Sequence, residues 1–432
     1  MLAVLTLQIS KGNGQTEWTY YPQSPVLKLG QPGEWDAMWV EPMSVVFDGN
    51  HYHMWYLSYS SSGSPVIGHA ASTDGISWNK SDENPILTKG QNGTWDGEFI
   101  GAGSVLFLDG TFYLWFYGQN SAIAQSGIGL ATSSDGVHWT EYENNPVYVP
   151  NDPGDWDDAA AGVNLSVVFD GERYHMWYDA TAGQPAAQGA QPAWRIGYAS
   201  SDDGITWTAC SNNPVLKNGA KDSWDWWTAM NPTVVKTGSG YHMWYYGDNA
   251  KSQIGYARSQ DGMNWTKCAN NPVLSPRMVG SWNLIGLMRP VVFYENSTAT
   301  FKMWYCGGGL ADGNLFAEIG YATAPDVTVG VENRDKGVTA DCFTLYPNHP
   351  NPFNPATTIT FDCRRKMHIT VGIYDLLGRK IRTLVNQEYT AGHYTVRWSG
   401  TNERGQFVPG GIYIARFISG DHQQAIKLTL VR

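Results

Sequence analysis

No run of apolar residues in this chain approaches the ~20 that a membrane-spanning helix requires, and no stretch keeps helical apolar spacing for more than two turns. A membrane-spanning role is excluded on the first count, and a helical protein on the second. The short apolar stretch Leu2 to Ile9 has no basic segment before it, so it reads at most as the remnant of a signal peptide. Cysteine is scarce, with five in 432 residues. There is no Cys-x-x-Cys and no His-x-x-x-His, so nothing points to a metal site or a cofactor. Cys342 and Cys363 could pair, Cys210 and Cys268 occupy matching places in neighbouring repeats, and an odd count leaves at least one thiol over. Basic residues are few, 28 Lys and Arg against 39 Asp and Glu, and they are unevenly placed. From Asp341 onward there are 11 basic and 6 acidic residues, which leaves 17 and 33 for everything before. That acidic portion lacks the clustered Lys and Arg that phosphate binding needs, which excludes nucleic acid as a partner.

What the chain has in plenty is tryptophan, glycine and repetition. A Trp-Asp pair recurs at Trp35-Asp36, Trp95-Asp96, Trp156-Asp157 and Trp224-Asp225, and degenerates to Trp282-Asn283. The run His53-Met54-Trp55-Tyr56 returns at Leu114 to Tyr117, His175 to Tyr178, His242 to Tyr245 and Lys302 to Tyr305. Asp74-Gly75-Ile76-Ser77-Trp78 returns at Asp135, Asp203 and Asp261. A period near sixty residues marks an array of like units. Within one unit, Ser44-Val45-Val46-Phe47 is a short buried strand. Asp48-Gly49 is a hairpin turn, since both residues tolerate positive φ. His51 to Leu57 returns antiparallel, Ile67 to Ala70 begins a third strand, and Asp74-Gly75 turns into a fourth near Trp78. Four strands per unit and five units predict an all-β chain built as a five-bladed β-propeller.

The fifth unit lacks its Asp-Gly-x-x-Trp element, while Glu17-Trp18-Thr19-Tyr20 copies the end of a unit. The N-terminal segment is therefore expected to supply the missing outer strand and close the ring, leaving no open edge. The predicted organisation is an N-terminal tail at 1–14, the propeller at 15–324, a linker at 325–340, and a small antiparallel, immunoglobulin-like β-sandwich at 341–432.

Two resemblances add to this reading. Leu345-Tyr346-Pro347-Asn348-His349-Pro350-Asn351-Pro352-Phe353-Asn354-Pro355, then Val371 to Arg379, Ala391 to Tyr394, Gly410 to Tyr413 and Lys427 to Arg432, closely resemble the C-terminal sorting domain of type IX secretion cargo. The resemblance implies export through that machinery to the medium or the outer-membrane surface of a Gram-negative bacterium. The unit pattern from Trp18 to Ala324 resembles the five-bladed propeller glycosidases: glycoside hydrolase family 43, the fructan-acting families such as family 32, and the mannoside phosphorylases. It implies an oligo- or polysaccharide ligand. The turn around Asp74-Gly75 is also similar to a shortened sialidase Asp-box, but the arginines such a site needs are few.

Residues that break the repeat are the informative ones, because repeated positions serve packing. Glu41, before Pro42, sits where arabinanase-like enzymes carry an Asp-Pro whose carboxylate activates water, which implies a general base. The acid is expected among Asp158, Asp179 and Asp225, although Asp225 belongs to the repeated Trp-Asp pair and is first read as structural. Trp39, Glu98, Asn164, Trp227, Asn231, Asp248 and Arg289 are the candidate substrate-binding residues. Two carboxylates that the fructan-acting enzymes carry are replaced here at Val163-Asn164-Leu165 and Met230-Asn231-Pro232. Glycosidic cleavage usually uses two carboxyl groups. A glycoside hydrolase, a non-catalytic glycan-binding propeller and a structural or adhesion module thus stand as three readings.

Overall fold

The computed structural model describes residues 18–59, 65–149, 156–157, 160–181, 194–276, 282–311, 314–326, 343–345, 348, 350–363, 366–375, 379–390, 392–419 and 422–431. The chain divides into two compact units, 1–332 and 333–432. Asp158 and most of the expected linker lie outside the described residues.

The first unit holds five four-stranded antiparallel sheets. Four follow the sequence pattern. The first, for example, runs Val40–Phe47, Tyr52–Tyr59, Pro65–Ser72 and Asn79–Lys80 in simple order. The fifth holds Gly286–Glu295, Thr300–Ala311 and Asn314–Pro325, and its fourth place is taken by Thr19–Tyr20. Thr19 pairs with Thr323 and Tyr20 with Ala322, so the N-terminal segment does close the last sheet. Trp18 meets Trp244 edge-on at 5.8 Å, as Trp78 meets Trp304 at 6.0 Å. The first strands of successive sheets touch in a closed cycle and together line an axial cavity of about 350 Å³, a propeller-like arrangement.

Three repeated bonds explain why these residues recur. All five second-strand tryptophans are buried, and four of them donate the indole N–H to the glycine carbonyl of a neighbouring sheet's Asp-Gly turn. Trp55 reaches Gly136 at 2.9 Å, Trp115 reaches Gly204 at 2.8 Å, Trp177 reaches Gly262 at 2.7 Å, and Trp304 reaches back to Gly75 at 2.8 Å. A second chain of bonds runs nearer the axis. The hydroxyls of Ser44, Ser104, Ser166 and Thr233 accept from the backbone N–H of Val105, Val167, Val234 and Val292 on the next sheet. The third is the Trp-Asp corner. Asp36 accepts from Lys80 at 2.6 Å and Tyr56 at 3.3 Å, and Trp35 lies on Gly68, where an added Cβ would fall 2.5 Å from the ring.

The second unit has a three-stranded and a four-stranded antiparallel sheet that share one core around Phe353, Phe361, Val371, Trp398 and Phe417. Its first and last segments meet: Val431 donates to the Phe353 carbonyl at 2.9 Å, and the Thr429 N–H to Asn351 at 2.9 Å.

The first sheet departs from the pattern at one buried position. Tyr198 and Tyr256 are each hydrogen-bonded through their hydroxyls to His175 and His242 at 2.7 Å. His69 stands at that place and meets His53 at 3.0 Å. Burial pushes the His69 pKa down to about 4, and His53 adds to the shift. Between about 4 and the ordinary value near 6.5 the unfolded chain binds the proton more readily, so this residue costs stability as pH falls through that window. His69→Tyr is expected to raise the Tm more at pH 5 than at pH 7.5; equal shifts at the two pH values would refute the account. Removing residues 1–22 deletes a strand and a half-buried indole and is expected to lower the Tm clearly, a loss of about 1.5–3 kcal/mol. An unchanged thermal melt would show that ring closure does not need them.

Candidate functional site

Each first strand carries a bulge at the same height, between Pro42 and Ser44, Ile100 and Gly103, Ala161 and Leu165, Met230 and Thr233, and Met288 and Val291. Extra residues at a bulge re-aim side chains. Here they are aimed together. Arg289 and Asn231 adopt positive φ, 47° and 51°, an uncommon conformation for residues other than glycine. Both precede proline.

The result is a connected polar cluster drawn from four sheets. Glu41 forms an ion pair with Arg289 and accepts the Trp39 indole N–H at 2.5 Å. Arg289 donates on to the Asn164 side-chain oxygen at 2.5 Å. The Asn164 amide donates to Asp179 at 2.7 Å, and its backbone N–H donates to the same carboxylate at 2.9 Å. The Asn231 backbone N–H adds a third donor at 3.2 Å. Glu41 is 3% exposed and Asp179 is 0% exposed. Burial pushes the Asp179 pKa up to about 6, against the pull of the Asn164 and Asn231 donors and the Arg289 charge. Burial works against the charge on Arg289, but Glu41, Tyr59, Cys306 and Asp179 together hold its pKa above the ordinary value.

The cluster unites Glu41, Trp39, Arg289, Asn164, Asp179 and Asn231 of the sequence-derived candidates. Asn164 through its side-chain amide and backbone N–H, and Asn231 through its backbone N–H alone, hold Asp179 in the cluster. The other candidates sit elsewhere. Asp225 is corrected to a framework residue: it accepts from Lys267 at 2.5 Å and Tyr245 at 3.1 Å, repeating the Asp36 corner. Glu98 is exposed and caps the Ser121 N–H at 2.6 Å. Asp248 accepts from Tyr246 and Ser252, at 2.8 and 2.7 Å, and its carbonyl accepts from Trp227 N–H at 3.0 Å. Trp227 is 43% exposed, which leaves its ring available to a ligand.

Two residues of the cluster have no counterpart in the sequence reading. Half-buried Tyr59 and buried Cys306 lie in the field of Arg289 and Glu41, and desolvation raises both pKa values. Cys306 follows the second-strand aromatic, as do Leu57, Tyr117, Asp179 and Tyr246 in the other units. Comparing that column across the repeats would have drawn attention to it.

Residues 36–160 match the family described as glycosyl hydrolases family 32 N-terminal domain. An uncharacterized protein of Mycobacterium tuberculosis is 29% identical over 233 residues, covering 52% of this chain and 72% of that protein. Among solved structures, a glycoside hydrolase superposes with TM-score 0.54 at 19% identity, over 66% of this chain and 86% of that one. The β-1,2-mannobiose phosphorylase of Listeria innocua superposes with TM-score 0.52 at 13% identity, over 73% and 98%. The first unit thus has a glycoside hydrolase-like all-β fold.

Arg289→Met would leave the Glu41 carboxylate buried without its counter-charge. A loss of about 3–5 kcal/mol is expected in urea unfolding, largely recovered by adding Glu41→Gln. A loss below about 1 kcal/mol would show that the pair is not closed as described.

Proposed function

We propose that the chain is a secreted glycan-active protein, a glycoside hydrolase on a five-bladed β-propeller, with its site at the Glu41–Arg289 cluster. The observation that carries this reading is the break in symmetry. The sheets repeat the same packing bonds, yet one set of unrepeated polar groups converges beside the axis, side chains from three sheets and a backbone N–H from a fourth. The region matching the hydrolase family includes Glu41. In this reading Glu41 activates water or receives a sugar hydroxyl, and Asp179, with its pKa near 6, is the proton reserve for the leaving oxygen. Trp227 supplies an exposed ring for a sugar face.

One observation favours the non-catalytic alternative, a surface glycan-binding propeller. Three N–H donors already occupy the Asp179 oxygens, an arrangement suited to a fixed structural knot.

Purified protein should be screened against a glycan panel for reducing-sugar release, with and without inorganic phosphate, because one structural neighbour is a phosphorylase. Glu41→Gln is expected to remove nearly all turnover, a fall of about 10²-fold or more, with the fold intact. The wild-type rate should fall as pH rises through about 6, where Asp179 loses its proton. Full activity in Glu41→Gln would refute the role of Glu41. Saccharide binding without turnover on any glycan would establish the binding reading.

We propose further that the second unit is a type IX sorting domain with an immunoglobulin-like sandwich, and that the protein reaches the surface or medium of a Gram-negative bacterium. The motif run from Leu345 to Arg432 supports it, as does the meeting of the run's two ends at Phe353 and Val431. Deleting residues 341–432 in the native host should trap the protein in the periplasm; normal delivery of the truncation would sink this assignment.

A further inference from the structure

The first unit exposes more large apolar side chains on one edge than on the other. Among its described residues, seven of the ten exposed large apolar side chains lie where the first strands begin and the second strands end, the edge that carries the cluster. The hairpins of the opposite edge turn on Asp48-Gly49, Asp109-Gly110, Asp170-Gly171 and Thr237-Gly238-Ser239. Apolar exposure concentrated on one face marks a binding surface.

The apolar side chains are concentrated at the seam between the fifth and first sheets. Leu310 and Leu315 face each other across the fifth sheet's long hairpin, 58% and 59% exposed. Leu284 and Ile285 flank it at 40% and 42%, with the Ile285 N–H bonded to the Gly308 carbonyl. Met38, 61% exposed, adjoins it through Trp39, whose backbone bridges to Ala317.

This strip runs into the cluster. Alternate residues of a strand share a face, so Cys306, Gly308 and Leu310 form one line, matched by Ile319, Ala317 and Leu315 on the paired strand. At its inner end Cys306 lies in the field of Glu41 and Arg289. At its outer end are the exposed leucines. Between them Gly308, itself buried, contributes no side chain: among the described residues a Cβ there would meet nothing nearer than 3.9 Å, the Ile285 Cβ and the Phe316 carbonyl oxygen. The walls are aliphatic, whereas sugar faces are served by aromatic rings and hydroxyl partners.

We infer that this strip receives the alkyl or acyl substituent of a saccharide whose sugar ring is held at the Glu41–Arg289 cluster, so that the ligand is an amphiphilic glycoside. The inference rests on the glycan reading of that cluster.

The test is calorimetry on the full chain with methyl and hexyl glycosides of glucose, mannose, galactose, arabinose, xylose and fructose. For the sugar that binds, the hexyl form is expected to bind at least about tenfold tighter, from the added CH₂ groups taken out of water. Gly308→Leu places a side chain where the glycine leaves none, and Leu310→Gln with Leu315→Gln makes the outer end polar. Each variant is expected to bring the hexyl-to-methyl ratio close to one. Equal affinity of the two forms in the wild type, or a ratio unchanged in both variants, overturns the inference and leaves the glycan reading standing. Binding of 1-hexanol as tight as the hexyl glycoside also overturns it, because the strip would then act apart from the sugar. Failure of every glycoside to bind overturns the glycan reading and this inference with it.

Discussion

Closure of the ring is the constraint on which the rest of the first unit depends. Each sheet has two apolar faces and can bury them only against its neighbours, so a gap at any seam would expose a core. The indole-to-glycine bonds show how the seams are fastened. They join a buried tryptophan on one sheet to a turn on another, and the bond from Trp304 to Gly75 carries the fastening from the last sheet back to the first. The inner hydroxyl bonds do not manage this last step. Val291 stands where Ser44, Ser104, Ser166 and Thr233 offer an oxygen, so closure falls to Trp304 and to the N-terminal strand. That strand also carries Trp18 onto Trp244, whose indole N–H has no partner among the described residues, and the sequence of the fifth unit has no Asp-Gly-x-x-Trp element.

A frame fastened in this way can tolerate irregularity near its axis. The five bulges sit at one height, and there the sheets differ in chemistry. Pro42, Ala102, Asn164, Asn231 and Arg289 occupy corresponding places, as do Leu57, Tyr117, Asp179, Tyr246 and Cys306 on the second strands. The frame brings these ten positions around one point. The chain then needs only a few substitutions to set a charge pair, a buried acid and an apolar strip beside each other.

The fold was legible because its information is local and repeated. Asp-Gly turns, Ile-Gly strands and Trp-Asp corners each appear four or five times, so a single ambiguous strand is corrected by its copies. Even ring closure could be read, since Trp18 and Tyr20 match the end of a unit. The site was legible only in part. Glu41 and Arg289 stood out as unrepeated residues, and Asp179 as a carboxylate after a second strand. Their connection was not readable, because Arg289 and Asn164 are 125 residues apart and meet only through the bulges. Asn164 looked like a sugar ligand because burial is invisible in a sequence, and in the structure its amide is used up by Asp179 and Arg289. Asp225 was nominated from its charge, while its copies at Asp36, Asp96 and Asp157 already carried the better answer.

The buried charge pair itself has a bearing on what the site is for. Taking a carboxylate and a guanidinium out of water costs several kcal/mol each, and an apolar pair of similar volume would often serve stability equally well. The pair does bridge the first and fifth sheets, where the inner hydroxyl bond is missing, but Trp304 and the N-terminal strand already fasten that seam, and the other four seams hold without such a pair. Structural economy therefore gives no reason for Glu41 and Arg289, or for an Asp179 whose pKa burial has raised toward neutrality. A polar ligand gives one. Donors and acceptors fixed in place before binding reorganise little when the ligand arrives, and in a dry setting each such contact counts for more than it would in water. The apolar strip that begins at Cys306 extends the same argument to the ligand's other end: exposed leucines next to a buried ion pair are poorly solvated side by side, and a molecule that is polar at one end and apolar at the other relieves both.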